Sequence, residues 1–100
     1  MVRFLRSIRS ARGKGNEARE WAKEVTNYIN GKYPNSNVQV FSGRFGNMST
    51  IVCQADFDDL ATLDKFQESF NTDEDYWALV NNSNEFFIED SITDTVYQTL

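Results

Sequence analysis

The sequence predicts an α+β fold, and three observations support that prediction. Two stretches carry apolar residues at helical spacing, and four stretches have the alternation or the β-branched and aromatic content of strands. These elements follow one another as β-α-β-β-α-β, with the second helix broken in two. That order is the ferredoxin-like pattern, a four-stranded antiparallel sheet with both helices on one face. At 100 residues, the chain is expected to form one domain over 1–100.

The opening segment, MVRFLRSIRSARGKG, carries arginine at every third position from Arg3 to Arg12. Wound as a helix, it would be basic and free of acids, like a mitochondrial presequence. As a strand over 2–11, it would place Arg6 on the same face as Phe4 and Ile8. A glycine-punctuated loop and a strong helical pattern follow at once, which favours the strand.

The first helix is expected to begin at Asn16, whose short side chain can accept hydrogen bonds from free amides. Glu17 and Glu20 suit the positive end of the helix dipole. Gly31 is placed to end the helix, and Pro34 prevents it from resuming. The apolar stripe comprises Ala18, Trp21, Ala22, Val25, Tyr28 and Ile29.

The next two strands are expected to form a hairpin. VQVFSGRFG, residues 38–46, predicts a strand with a bulge near Gly43. GNMS can turn the chain, since Gly46 and Asn47 tolerate positive φ. STIVCQADF, residues 49–57, alternates most clearly, and one face carries Ile51, Cys53, Ala55 and Phe57.

The second helix is expected to have two parts. DFDD supplies caps for the first part, whose stripe is Leu60, Leu63, Phe66 and Phe70. NTDED interrupts the pattern, and Thr72 with Asp75 resembles a capping box. The second part would carry Tyr76, Trp77, Leu79 and Val80 and extend toward Phe86 and Phe87. ITDTVYQTL, residues 92–100, predicts the last strand.

One face of the predicted sheet has nothing in this chain to cover it. Such a face needs a partner or a ligand if apolar side chains lie on it. The residues expected there are Val2 or Leu5, Val38 or Phe41, Val52 and Tyr97.

Charge is divided unevenly along the chain, whose net charge is −5. Residues 1–44 hold nine basic and three acidic residues, whereas residues 45–100 hold one basic and twelve acidic residues. Attraction between the two halves, or between two copies, would follow from this division. An overall pI near 4.6 argues against nucleic acid as a partner.

Composition excludes several kinds of site. The chain contains no histidine and a single cysteine, Cys53. Histidine-dependent triads and histidine-containing zinc sites are therefore excluded, and no metal or cofactor is expected. Cys53 is expected to be a packed core thiol, and a lone cysteine fits a reducing compartment, so a cytoplasmic location is predicted. No apolar run is long enough to predict a membrane span.

Three segments carry a resemblance to a known family. They are RSIRSARGKGNEAREWAKEVTNYINGKYP, VQVFSGRFGN and ADFDDLATLDKFQE with DEDYWALV and FF following. Together they resemble the dimeric α+β barrel superfamily, including its uncharacterised and antibiotic-biosynthesis-monooxygenase-like members. The motifs are structural rather than catalytic. The resemblance implies a homodimer in which two sheets pack face to face, with the helices outside.

The absence of histidine bears on what the resemblance implies. Haem-degrading members of the superfamily ligate iron through histidine, and several cyclases use histidine as a base. This chain has no histidine, so it lacks the residue on which those activities depend.

Two arginines and an aspartate are candidate cavity residues. Arg6 on an apolar face is expensive unless it is paired or binds an anion. Asp56, on a neighbouring strand, is its expected partner, in a structural ion pair or in an anion or carbonyl clamp. Arg44 can serve the same role or lie in an exposed loop.

Gln54, Trp77 and Tyr97 are the other candidates. In monooxygenases of the superfamily, aromatic and amide side chains hold a flat substrate, and the resemblance extends that role to these three residues. Against it, a tryptophan on a helical stripe ordinarily packs in the core. Tyr97 is expected to face either the cavity or the helices.

Three functions fit these observations. The first is binding of a small hydrophobic or aromatic molecule in the cavity of a dimeric barrel. The second is a cofactor-independent monooxygenase or isomerase, which would need a titratable group with a shifted pKa in that cavity. The third is a protein-interaction module using the basic N-terminal half, with salt-dependent binding. The charge division fits dimerisation without a further partner, which places the third function last.

Overall fold

The computed structural model describes residues 1–44 and 49–100. Its elements are β1 (Val2–Arg9), α1 (Gly15–Lys32), β2 (Gln39–Ser42), β3 (Thr50–Phe57), α2 (Leu60–Glu68), α3 (Glu74–Asn81), a short 3-10 helix (Asn84–Phe86) and β4 (Thr93–Gln98). The four strands form one antiparallel sheet in the order β2-β3-β1-β4. The predicted α+β ferredoxin-like fold, with its divided second helix, is confirmed.

The apolar alternation of β1 and β3 decides which face of the sheet the helices cover. Val2 pairs with Phe57 and Ile8 pairs with Ile51. Because paired residues point to the same side, both apolar sets face the helices. The odd-numbered residues of β1, from Arg3 to Arg9, therefore lie on the opposite side, which we call the open face.

The core beneath the helices is divided into two clusters. One is built on Val2, Val38, Ala55, Phe57 and Leu63, and the other on Ala18, Ala22 and Ile51. The register places Arg6 and Cys53 opposite each other between the two clusters. A polar pair thus occupies the middle of the helix-facing side of the sheet.

Both predicted ends of α1 are wrong by one or two residues. The helix begins at Gly15, because the Lys14 carbonyl already accepts the Ala18 N–H at 2.9 Å. The side-chain oxygen of Asn16 accepts a hydrogen bond from Arg19 and caps nothing. Gly31 lies inside the helix, since the Tyr33 N–H closes the last turn onto Ile29.

The hairpin strands are shorter than predicted. β2 ends at Ser42, although the Gly43 N–H still donates to the Thr50 carbonyl at 2.9 Å. Pairing is regular over Gln39–Ser42, and the bulge predicted near Gly43 would lie beyond that stretch. The predicted turn at Gly46 and Asn47 lies outside the described residues.

The two halves of the second helix are each capped by an aspartate. Asp59 accepts the Thr62 N–H and begins α2, as the DFDD motif predicts. The predicted capping box of Thr72 and Asp75 is wrong, because Asp73 accepts the Tyr76 N–H and begins α3. The helix stops at Asn81.

Phe86 and Phe87 lie beyond α3 and are not part of it. Phe86 ends the 3-10 helix, and Phe87 meets Trp21 of α1 edge to face at a centroid distance of 5.2 Å. Both rings pack against the second core cluster. Phe86 and Phe87 therefore pack in the core from the 3-10 helix and the residue after it, and not from an extended α3 as predicted.

Asp73 joins α3 to α1 through a buried cluster of hydrogen bonds. Asp73 is 4% exposed, and its carboxylate accepts hydrogen bonds from the Tyr28 hydroxyl at 2.7 Å and the Tyr33 hydroxyl at 2.6 Å. Lys32 forms an ion pair with it at 3.1 Å. Burial alone would raise the pKa of Asp73, but these hydrogen bonds and the Tyr76 N–H outweigh burial and lower it.

We predict that Asp73→Ala destabilises the fold much more than Asp59→Ala. Both carboxylates cap a helix through the N–H three residues on, but only Asp73 also binds α1. The measurement is thermal unfolding, and the Tm of Asp73→Ala should fall by several degrees more. Equal losses for the two variants would contradict the linking role of Asp73.

The lowered pKa of Asp73 predicts how stability changes with pH. Below the unfolded-state pKa of about 3.9, the unfolded chain gains a proton at Asp73 that the folded chain does not. The contribution of Asp73 is therefore complete above about pH 5 and declines as the pH falls through about 4. In urea unfolding, the stability difference between the wild type and Asp73→Asn should shrink below that pH. A stability difference that stays constant from neutral pH to about pH 3 would contradict the lowered pKa of Asp73.

Candidate functional site

The open face presents four rows of side chains across the sheet. The rows are fixed by the strand register, since directly opposed residues share a face. The first row is Asp56, Arg3 and Tyr97; the second is Gln39, Gln54, Leu5 and Thr95; the third is Phe41, Val52, Ser7 and Thr93; the fourth is Thr50 and Arg9. Apolar or aromatic side chains lie in the first three rows, with polar groups between them, and the fourth row is polar.

Arg3 and Asp56 form a bidentate ion pair on this face. Arg3 Nε donates to Asp56 Oδ1 at 2.8 Å, and Nη2 donates to Oδ2 at 3.0 Å. The side chains are 42% and 40% exposed. The hydrogen bonds raise the pKa of Arg3 and lower the pKa of Asp56, so both groups are charged at neutral pH.

A groove of about 280 Å³ lies at the Arg3 end of the open face. Tyr97 stands on one side of it with its side chain 57% exposed, and Leu5 lies in the next row. The groove is lined by Met1, Arg3, Leu5, Tyr97, Gln98 and Thr99. It combines an aromatic ring, aliphatic surface and one guanidinium, a set that suits a small organic molecule.

Arg6 lies on the helix-facing side, and its predicted pairing with Asp56 is wrong. Its register partner on β4 is Asp94. Arg6 Nε donates to Asp94 Oδ1 at 2.7 Å, and Nη2 donates to Oδ2 at 2.9 Å. Asp56 points to the other side of the sheet. The cost of an arginine on an apolar face is met by this pair at the sheet edge, where both side chains are 40% exposed.

Cys53 and Tyr76 lie close enough to Arg6 for its charge to affect them. Burial raises the pKa of the Cys53 thiol, and Arg6 offsets part of that change. Burial likewise raises the pKa of Tyr76, again partly offset by Arg6. Both groups are therefore protonated at neutral pH, and neither acts as a base there.

Trp77 lies on the outer surface and not in the core. Its side chain is 44% exposed, and its indole Nε1 donates to the Phe70 carbonyl at 2.8 Å. It borders an open depression of about 530 Å³ together with Asn71, Thr72, Glu74, Ala78 and Asn81. Arg44 is exposed and follows the end of β2.

The structure brings three of the six predicted site residues together. Gln54, Asp56 and Tyr97 share the open face, whereas Arg6, Arg44 and Trp77 lie in three other places. Sequence reasoning missed Arg3, which sits between Asp56 and Tyr97. The signal was present, because the apolar face of β3 excludes Asp56, so Asp56 had to share a side with the odd-numbered residues of β1.

Two kinds of feature are absent from residues 1–44 and 49–100, the part of the chain that the structure describes. No group of three or more histidine, cysteine, aspartate or glutamate side chains in that part is arranged to hold a metal ion. No helix in it is both long and apolar enough to cross a membrane.

Solved structures share this fold over nearly the whole chain. A NIPSNAP domain protein from Burkholderia xenovorans matches with a TM-score of 0.82 at 15% identity, over 100% of this chain and 95% of that one. A NIPSNAP family protein from Agrobacterium tumefaciens matches with a TM-score of 0.82 at 14% identity, over 99% and 92%. An antibiotic biosynthesis monooxygenase matches with a TM-score of 0.71 at 15% identity, over 100% and 99%.

Sequence comparison adds no closer relationship. No family model matches the chain, and no curated protein matches it. At these identities the structural matches establish the fold alone. They confirm the predicted ferredoxin-like fold, and they are consistent with the resemblance drawn from the sequence.

We predict that a double-mutant cycle on Arg6 and Asp94 shows a coupling energy, and that a cycle on Arg6 and Asp56 shows none. The expected coupling is about 1 kcal/mol, the upper end for exposed pairs, because the contact is bidentate. The measurement is urea unfolding of single and double alanine variants. A larger coupling in the Arg6 and Asp56 cycle would contradict the observed pairing.

Proposed function

We propose that the protein is a homodimer that binds a small hydrophobic or aromatic molecule in the cavity between two open faces. The observation that carries this proposal is the open face itself. It has no covering element among the described residues, yet apolar or aromatic side chains occur in three of its four rows. A second copy is the occupant that the residues of this face suit best.

The charges of the open face support association with an identical surface. The face carries both signs in the Arg3 and Asp56 pair, and Arg9 leaves an excess of only one positive charge per copy. Phe41 on one edge strand is 49% exposed, and Tyr97 on the other is 57% exposed. Burying large aromatic side chains is the main favourable term in such an interface.

The groove beside Arg3 supports the ligand half of the proposal. A groove open on one side gives a small molecule little shelter from water. A second sheet laid over the open face would close that side. The ligand site is therefore proposed to depend on the dimer.

The two alternative functions have less support. A monooxygenase or isomerase would need a group able to take a proton in the cavity. The hydrogen bonds from Arg3 lower the pKa of Asp56, which makes its carboxylate a weaker base. NIPSNAP and monooxygenase neighbours contribute only the fold to this question. The hypothesis of an interaction module based on the basic half is weakened, because Arg3, Arg6 and Lys32 are paired with acids of the second half.

A cytoplasmic location stays a prediction.

We predict that Phe41→Glu disrupts the dimer, because the proposed interface would bury its new charge. Sedimentation velocity should show a dimer for the wild type and a dissociation constant at least about tenfold weaker for the variant. Leu60→Glu is the matched control, since Leu60 is 48% exposed on α2, away from the open face. The control should remain dimeric.

The same variants test the ligand half. The fluorescent hydrocarbon 2-ethylnaphthalene should bind saturably to the wild type and to Leu60→Glu, and only weakly to Phe41→Glu. A wild-type monomer at micromolar concentration would contradict the dimer. Equal binding by all three proteins would contradict a cavity that depends on it.

A further inference from the structure

The guanidinium of Arg3 has hydrogen-bond donors left over after it binds Asp56. An arginine carries five N–H donors, and the bidentate contact uses one on Nε and one on Nη2. Three donors remain, two on Nη1 and one on Nη2. Since Arg3 also lines the groove, these donors are available to a molecule bound there.

The ion pair holds Arg3 in one orientation. Arg3 and Asp56 are direct partners in the antiparallel register of β1 and β3, so their backbones are fixed relative to each other. A bidentate contact then fixes the plane of the guanidinium as well as its position. The donors are thus oriented before any ligand arrives, which lowers the entropy cost of binding.

The groove offers an exposed tyrosine ring and aliphatic surface beside these donors. Tyr97 on β4 is the direct partner of Arg3, and Leu5 lies two residues after Arg3 on β1. An aromatic body can rest on these side chains while an oxygen at its edge reaches Arg3. A hydrocarbon of the same shape would leave the three donors without that acceptor.

We infer that the groove selects planar apolar molecules that carry an oxygen acceptor, a ketone or a carboxylate, and that Arg3 is the residue that selects them. This inference rests on the proposed function. It adds the chemical class of the ligand and assigns the recognition to Arg3 with Asp56 as its positioning partner. Because Asp56 balances the charge of Arg3, a neutral ketone is accepted as well as an anion.

The test compares three naphthalenes of similar apolar area. The probes are 2-ethylnaphthalene, 2-acetylnaphthalene and 2-naphthoate, titrated into the full-length protein and followed by their fluorescence. A hydrogen bond to a charged donor predicts that the two oxygen-bearing probes bind about tenfold tighter than the hydrocarbon. The carboxylate binding tighter than the ketone would show that the charge of Arg3 contributes beyond its hydrogen bonds, and equal binding would show that Asp56 cancels it.

Arg3→Met should abolish the preference and leave hydrocarbon binding in place. Arg9→Met is the matched control, because Arg9 is exposed on the same strand and face, and does not line the groove. It removes the same charge and should keep the preference. Asp56→Asn keeps Arg3 but removes the carboxylate that balances its charge, so 2-naphthoate should gain affinity relative to 2-acetylnaphthalene. This variant keeps the test decisive if Arg3→Met fails to fold, because an unchanged affinity for 2-naphthoate would contradict contact with Arg3.

The outcomes separate this inference from the proposed function. If all three probes bind the wild type equally, the role of Arg3 is overturned and the apolar cavity stands. If the preference survives in Arg3→Met, another group provides the donor and the inference is again overturned. If none of the probes binds, both the inference and the ligand half of the proposed function fail.

Discussion

The register of β1 between β3 and β4 determines both the core and the open face. It sends Val2, Phe4 and Ile8 toward the helices, together with Ile51 and Phe57 of the neighbouring strand. The same alternation sends Arg3 and Leu5 to the open face. A slip of one residue would exchange the two sets, burying arginines under the helices and exposing the core. The core and the candidate site are therefore specified by one pairing.

The uneven charge along the chain is largely a feature of this pairing. Arginines of the basic half meet aspartates of the acidic half on both faces of the sheet, and Lys32 meets Asp73 between two helices. These contacts join segments far apart in sequence. Only the Asp73 pair is buried on its acidic side, where two tyrosine hydroxyls share the carboxylate. That cluster holds α3 in place, and α3 needs it because none of the helix's own residues is buried.

Much of the fold was predictable because periodicity and caps are local signals. The order of elements and the cap at Asp59 followed from residue patterns. The cap at Asp73 did not, because its carboxylate is also held by the hydroxyls of Tyr28 and Tyr33. These residues lie 45 and 40 positions away in the sequence, so no local pattern contains them. The pairing of Arg6 failed for a related reason. Choosing between Asp56 and Asp94 required the faces of three strands to be assigned together.

We propose that a second copy covers the open face, with a small molecule between the two sheets. Native mass spectrometry of the protein purified from its own host is the decisive experiment, because it reports assembly and retained compounds together. We expect the mass of a dimer, with an added mass that is lost on gentle activation. A monomer without an added mass would overturn the proposal, because the apolar rows of the open face would then have neither partner nor ligand.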